Sequence, residues 1–274
     1  MTTEDHSRSK SSEPGANAPK LSFRGVTMIF STDHGPVTAL QDVSLDVAPG
    51  EFVCIVGASG GGKSTLLHIA AGLQQQTAGE VLIDGKSVEG AGPDRAVIFQ
   101  EDAVFPWLRV AQNVEYGLKA QRVPAGDRRR RVEQMIKLVG LEGWEGAYPR
   151  QLSGGMRKRV DVARAFANQP EVILMDEPFG GLDAVTKETL QTEVLRIWAT
   201  EHKTILFVTH DLEEAVFLAD RIVLLRRGEA PRIYANELPR PRTSELRTSH
   251  ELQERRGELS RLLAERDEDR ESVT

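Results

Sequence analysis

The sequence predicts an α/β fold. A mixed sheet with parallel core strands follows an N-terminal antiparallel β subdomain and is interrupted by an inserted helical subdomain. Three observations lead there. The apolar run Phe52-Val53-Cys54-Ile55-Val56 passes directly into Gly57-Ala58-Ser59-Gly60-Gly61-Gly62-Lys63-Ser64-Thr65 and then into a helical pattern, so strand, glycine loop and helix follow in order. The runs Val172-Ile173-Leu174-Met175 and Thr204-Ile205-Leu206-Phe207-Val208 are apolar throughout, as burial on both faces of a parallel sheet demands, and a helix at about 185–200 separates them. From about 101 to 168 the β signal disappears and helical spacing takes over.

The composition narrows the function classes. With 274 residues the chain can form one large domain, or a domain and a small subdomain, around a core that needs no staples. A formal net charge of -6 gives no overall sign of a nucleic-acid binder held by phosphate contacts. The single cysteine, Cys54, excludes an intramolecular disulfide, and its apolar strand points to a small buried hydrophobe. No apolar stretch reaches bilayer-spanning length, and the N-terminus lacks the basic-then-apolar order of a signal peptide. The expectation is a soluble intracellular protein that touches a membrane only through a partner.

Residues 1–19 are polar with almost no large apolar side chain, which predicts a disordered tail. The main domain is expected over 20–242. Its first strands are read at 21–29 and 37–47, with Phe30 ending the first as either a base-stacking aromatic or a core anchor. In the loop from Gly57 to Thr65, glycines permit a sharp turn that aims successive N–H groups inward. Lys63 reaches the β and γ phosphates of a nucleoside triphosphate, and Ser64 offers its hydroxyl to Mg²⁺. The following helix adds the anion-favouring end of its dipole. Strands are read at 79–85 and 96–100, the second placing Gln100 at its end, where ligand-facing residues of α/β folds collect. Within the insert, helices are expected at 110–120, 128–139 and 153–168. The run Arg128-Arg129-Arg130-Arg131 reads as a solvated helix face, with a membrane-surface role as the weaker alternative. Beyond Arg226-Arg227-Gly228-Glu229 the core signal fades, and Leu238-Pro239-Arg240-Pro241-Arg242 reads as a break. Residues 243–274 form a charged tail with a helix lying on the domain and fraying at its acidic end. A dimerising coiled coil is the weaker alternative, since the heptads of Leu246, Leu252, Leu259, Leu262 and Leu263 are incomplete.

Leu152-Ser153-Gly154-Gly155-Met156-Arg157-Lys158-Arg159-Val160 opens a helix with a serine and two glycines, the composition of an anion-binding helix start. Here the chain resembles the ATP-binding-cassette (ABC) ATPases, a branch of the P-loop NTPases, whose signature is LSGGQ or LSGGM followed by basic residues. Val172-Ile173-Leu174-Met175-Asp176-Glu177-Pro178 is similar to that family's Walker B strand, Gly181-Leu182-Asp183 to its D-loop, His210 to its switch histidine and Gln100 to its Q-loop. The resemblance covers about 21–242. It implies that Asp176 holds Mg²⁺ through its water shell, that Glu177 is the general base, and that His210 touches the γ-phosphate and orients Glu177 and the water. Gln100 would approach Mg²⁺ while connecting the core to the insert, and Phe30 stands at the adenine-stacking position. The resemblance further implies a head-to-tail homodimer. Each ATP would be sandwiched between one chain's Lys63 loop and the other's Ser153, Gly154 and Gly155, with Asp183 at the same junction, so that ATP closes the dimer and hydrolysis opens it. Lys158 and Asp161 stand where the family commonly has Gln and a small residue, and Gly180-Gly181 replaces the usual small pair; neither departure is expected to touch the catalytic set.

Gln100-Glu101-Asp102-Ala103-Val104-Phe105-Pro106-Trp107-Leu108 resembles a stretch of the nitrate, sulfonate and taurine importer subfamily, as does the Leu238–Arg242 ending. The implied function is the ATP-hydrolysing subunit of an importer for a small anion of nitrate, sulfonate, taurine or bicarbonate type, at the cytoplasmic face of the membrane. Its partners would be membrane permease subunits and an extracytoplasmic solute-binding protein, without nucleic acid. Phe105 and Trp107 read either as an apolar lip gripping a permease helix or as core aromatics. The competing classes are a cassette ATPase acting on ribosomes or DNA, an importer ATPase for a pyrimidine precursor, and a P-loop metabolite kinase. The first is disfavoured by the single cassette and the lack of a coiled-coil insertion, the kinase by the signature helix.

Overall fold

The computed structural model describes residues 18–264, so all but the end of the expected N-terminal tail, and the acidic end beyond the last leucines, lie outside the described residues. Strands β1 (Leu21–Thr32) and β2 (Gly35–Val47) form a long antiparallel hairpin pairing Leu21 with Val47 and Thr32 with Gly35. Strand β3 (Phe52–Val56) leads through the glycine loop into helix α1 (Lys63–Ala71). Next come β4 (Ala78–Ile83), β5 (Lys86–Ser87) and β6 (Arg95–Ile98). The insert holds α2 (Val110–Ala120), α3 (Ala125–Leu138) and α4 (Gly154–Ala167). The chain then returns through β7 (Val172–Asp176), α5 (Ala184–Glu201), β8 (Thr204–Thr209), α6 (Leu212–Leu218), β9 (Arg221–Leu224), β10 (Arg232–Ala235) and α7 (His250–Ala264).

These strands build two sheets: an antiparallel one in the order β2-β1-β4-β5, and a six-stranded one in the order β10-β9-β3-β8-β7-β6. The larger sheet is parallel except where β10 runs antiparallel to β9, so the predicted α/β fold with a mixed sheet and an antiparallel N-terminal subdomain is what the chain adopts. Side chains of a strand alternate between faces, and here that alternation divides the core. Phe52, Cys54, Ile173, Met175, Ile205 and Phe207 pack with the insert and the later helices. Their neighbours Val53, Ile55, Val172, Leu174, Leu206 and Val208 pack with α1 and the antiparallel sheet. The central strands are apolar because each face has its own partner layer. Cys54 is fully buried, and burial pushes its thiol well above the ordinary value.

Three expectations need correction. The stretch read as a break is instead a docked strap. Leu238 is buried, buried Arg242 donates to the carbonyls of Val216, Phe217 and Ala219, and Arg240 donates to Leu218 O and Asp220, so two arginines satisfy carbonyls that α6 leaves at its C-terminus. Burial, with Arg240 nearby, lowers the Arg242 guanidinium to about 10. The sheet also continues past Arg226, in edge strand β10; only its Tyr234 packs partly buried against the core and Ile233 is 55% exposed, which is why the strand carried so little apolar signal. The arginine run is only half solvated: Arg129 and Arg130 face water, whereas Arg131 forks onto Glu201 and also donates to Phe166 O, and Arg128 binds Glu115.

Helix α7 lies on the domain as its leucines suggested, burying Leu252 and Leu259 completely in the same cluster as Phe52 and Phe207. Seven residues apart, they share one helix face. Leu259→Ala is expected to lower stability by about 2–5 kcal/mol, the usual cost of opening a core cavity, measured by urea unfolding. A loss below about 0.5 kcal/mol, typical of surface positions, would show that α7 is not docked.

Candidate functional site

The sheet order β3-β8-β7-β6 sets four functional segments in a row at the carboxyl ends of parallel strands. The glycine loop follows β3, His210 follows β8, Asp176 and Glu177 close β7, and Gln100 lies just beyond β6, the edge where α/β sheets bind ligands. The loop is shaped by its neighbours. A side chain at Gly57 would place its first carbon 2.1 Å from Leu225 O, and Gly62, at φ +86°, would put one 2.6 Å from Ala39 O. Only glycine lets the loop pass between these carbonyls.

Lys63 is buried, and its Nζ donates to Gly57 O at 2.9 Å and Ala58 O at 3.0 Å. Those bonds use two of three ammonium protons, leaving the third for a phosphate oxygen. Ser64 Oγ donates to Asp176 Oδ1 at 2.9 Å, and His68 Nε2 stands 3.7 Å from Asp176 Oδ2. A hydroxyl and a carboxylate side by side are the hard oxygen donors that Mg²⁺ takes alongside waters and phosphates, so the residues present fit that ion. Glu177 has φ +42°, rare for a side chain of its size and typical of strain held at a working site. Its Oε2 lies 2.8 Å from His210 Nδ1. This hydrogen bond ties the imidazole to the carboxylate across the ends of β7 and β8.

The loop of His210 is braced on both sides. Thr209 Oγ1 donates to Glu214, and Asp211 caps α6 while accepting from Lys187 Nζ at 2.6 Å; Lys187 also meets Glu214 at 2.8 Å. Burial would raise the Asp211 carboxyl, but Lys187 and the cap outweigh it and hold it below the ordinary range. Sequence reasoning missed Lys187, Thr209 and Glu214, because nothing local marks residues that meet only in the fold.

One recess is lined by Phe30, Val37, Ala39, Arg227 and residues 60–65, which places Phe30 beside the loop, and a second joins residues 57–61 to His210 and Leu212. Ser153, Gly154, Gly155 and Asp183 line neither recess. Ser153 caps α4 by accepting from Met156 N, and Asp183 caps α5 by accepting from Thr186 N. The two departures do touch the predicted set, contrary to expectation. Lys158 donates to Gln100 O at 3.0 Å, and a side chain at Gly180 would stand 2.9 Å from Gln100 Nε2. Phe105 is half-buried and Trp107 is 69% exposed.

Comparison with known proteins places the chain in a family. A family model described as ABC transporter matches residues 40–180. The chain is 45% identical over 234 residues to a nitrate import ATP-binding protein of Synechococcus elongatus, covering 84% of this chain and 85% of the relative. It is 43% identical over 239 residues to a bicarbonate transport ATP-binding protein of the same organism, covering 85% and 86%. A solved ATP-binding cassette, a dimer in a post-hydrolysis state with ADP and Pi, superposes with TM-score 0.70 at 33% identity, covering 80% of this chain and all of that one.

The Glu177–His210 pair yields a prediction. Glu177→Gln is expected to keep ATP binding, read by equilibrium titration, and to slow hydrolysis by roughly 10²–10⁴, the usual contribution of a general base. Near-normal turnover would remove Glu177 from the chemistry.

Proposed function

This chain belongs to the ABC transporter family and is an ATPase, and on that premise we propose that it is the energy-coupling subunit of an importer for a small anion. It sits on the cytoplasmic face of the membrane through a permease and is served by an extracytoplasmic solute-binding protein. No helix among the described residues is long and apolar enough to cross a membrane, and in this reading the permease supplies the attachment. The observation that carries the reading is an exposed aromatic surface on the insert. The Trp107 ring packs 5.6 Å from that of Phe105, which lies 4.5 Å from that of Tyr116, and Tyr116 is 51% exposed. Clustered aromatics left in water mark a protein interface. The relatives named for nitrate and bicarbonate point to a small anion as the solute.

In this reading Lys63 and the loop N–H groups hold the ATP phosphates, and the Phe30 ring faces the base. Ser64 and Asp176 hold Mg²⁺, which when bound offsets phosphate charge. Glu177 accepts the proton of the water that attacks the γ-phosphorus, so that ADP and phosphate leave, while His210 fixes the carboxylate. The site is completed by a second copy. A side chain at Gly154 would meet nothing closer than 3.7 Å within the chain, so intrachain packing gives no reason for glycine there. The helix start, exposed at Ser153, suits the γ-phosphate bound on a partner, and the solved cassette with ADP and Pi being a dimer supports a paired state. ATP then draws two copies together, and hydrolysis releases them.

The test is isolation of the complex from membranes, followed by reconstitution with its binding protein and ATPase assays with nitrate, bicarbonate, sulfonates, taurine and a pyrimidine precursor. Co-isolation of a permease and stimulation by one of the anions is expected; stimulation by the pyrimidine precursor would reassign the solute class. Recovery with ribosomes or DNA and no membrane subunit would overturn the reading. Within that complex, Trp107→Ala is expected to weaken the grip on the permease roughly thirtyfold, as loss of an aromatic anchor does. The isolated chain should melt as before, and a lowered melting temperature would return Trp107 to the core.

A further inference from the structure

The loop that carries Gln100 does not follow its own preferences; it is held by charged side chains from one face of α4. Lys158 is 2% exposed, and its ammonium donates to Phe99 O at 2.9 Å, Gln100 O at 3.0 Å and Glu101 O at 3.5 Å. Asp161, equally buried, accepts from Ala103 N at 3.0 Å and from Arg164 at 2.8 Å. Arg164 donates back to Ala103 O at 2.7 Å and lies over the Phe105 ring at 5.0 Å. Positions 158, 161 and 164 are successive turns of one helix face. They fix consecutive backbone groups of the segment that runs from Gln100 to the aromatic surface.

We propose that Lys158, with Asp161 and Arg164, is a positioning cluster that locks the Gln100 loop to α4 and so holds Gln100 in place beside the Asp176–Glu177 strand end. The observed geometry favours lysine over the glutamine common at this position. An ammonium has three donors for three converging carbonyls, whereas an amide has two. Buried charges are retained where they are paired and fully bonded, and this cluster meets that condition through backbone groups that otherwise have no helix or strand partner. Gly180 completes the arrangement by leaving room for the Gln100 side chain. Lys158 is buried on backbone carbonyls and lines neither recess beside the glycine loop, so it is a positioning residue that acts through Gln100.

The inference rests on the ATPase reading, and its test separates the two. ATP hydrolysis by the full-length chain is compared for the native protein, Lys158→Met, Lys158→Gln and Lys158→Arg, each also with Gln100→Ala. Lys158→Met should lower kcat about ten- to a hundredfold, the scale of a misplaced catalytic neighbour, with KM for ATP within about twofold. Lys158→Gln and Lys158→Arg should recover most of the loss. In the Gln100→Ala background Lys158→Met should cost little more, because coupled residues are non-additive. A merely structural lysine would instead lower the melting temperature and reduce activity equally in both backgrounds, which would overturn the proposal. So would a folded Lys158→Met, or a folded Lys158→Gln if the former does not fold, that keeps native kcat together with additivity toward Gln100→Ala. A native chain without ATPase activity would instead defeat the ATPase reading itself.

Discussion

The buried ammonium of Lys63 is the constraint on which the site depends. A cation without partners is not tolerated in a protein interior, and this one is held by the Gly57 and Ala58 carbonyls of its own loop. The loop must curl back on itself to offer them. That curl requires glycine where Leu225 and Ala39 press in, and it requires β3 to end at the middle of a parallel sheet. The same loop delivers the chain to the start of α1, and a helix N-terminus at that point favours phosphate. Ser64, the next residue, is tied across to Asp176 at the end of β7, which keeps the oxygen donors of the site in register with the strand carrying Glu177.

Around this centre the other parts of the site are held by bonds between elements. His210 stands between Thr209 and Asp211, themselves tied to Lys187 and Glu214, so it sits in a loop bonded to both α5 and α6. The insert reaches the core through the Gln100 loop and through α4, and charged side chains of α4 join those two connections.

Much of this was legible in the chain. Strand, loop and helix around Lys63, the apolar strands ending in Asp176 and Thr209, and α2 over Val110–Ala120 follow from periodicity that burial enforces. What could not be read lies in pairings distant in sequence. The Leu238–Arg242 segment has the prolines of a linker, yet its arginines find the end of α6; the arginine run looks uniform, yet Arg131 alone reaches Glu201. Edge strand β10 was missed because an edge exposes what a central strand buries. Lys158 and Asp161 were visible as departures, but their link to Gln100 depends on how α4 lies against the loop after β6.

The central claim is that one chain holds half of each site. Lys63 and the Ser153–Gly154 helix start both have anion-binding character, and the recesses beside the loop do not include the latter. A twofold dimer would bring each loop to the partner's helix start. The most direct measurement uses a mixed dimer of one chain with Lys63→Ala and one with Gly154→Asp, both also carrying Glu177→Gln to block turnover. A carboxylate at position 154 would repel the γ-phosphate and fill the open space. Each homodimer should fail to occlude ATP, whereas the mixed dimer keeps an intact Lys63 opposite an intact Gly154 and should trap a single nucleotide. No trapped ATP in mixed dimers proven to have formed would contradict a site shared between two chains.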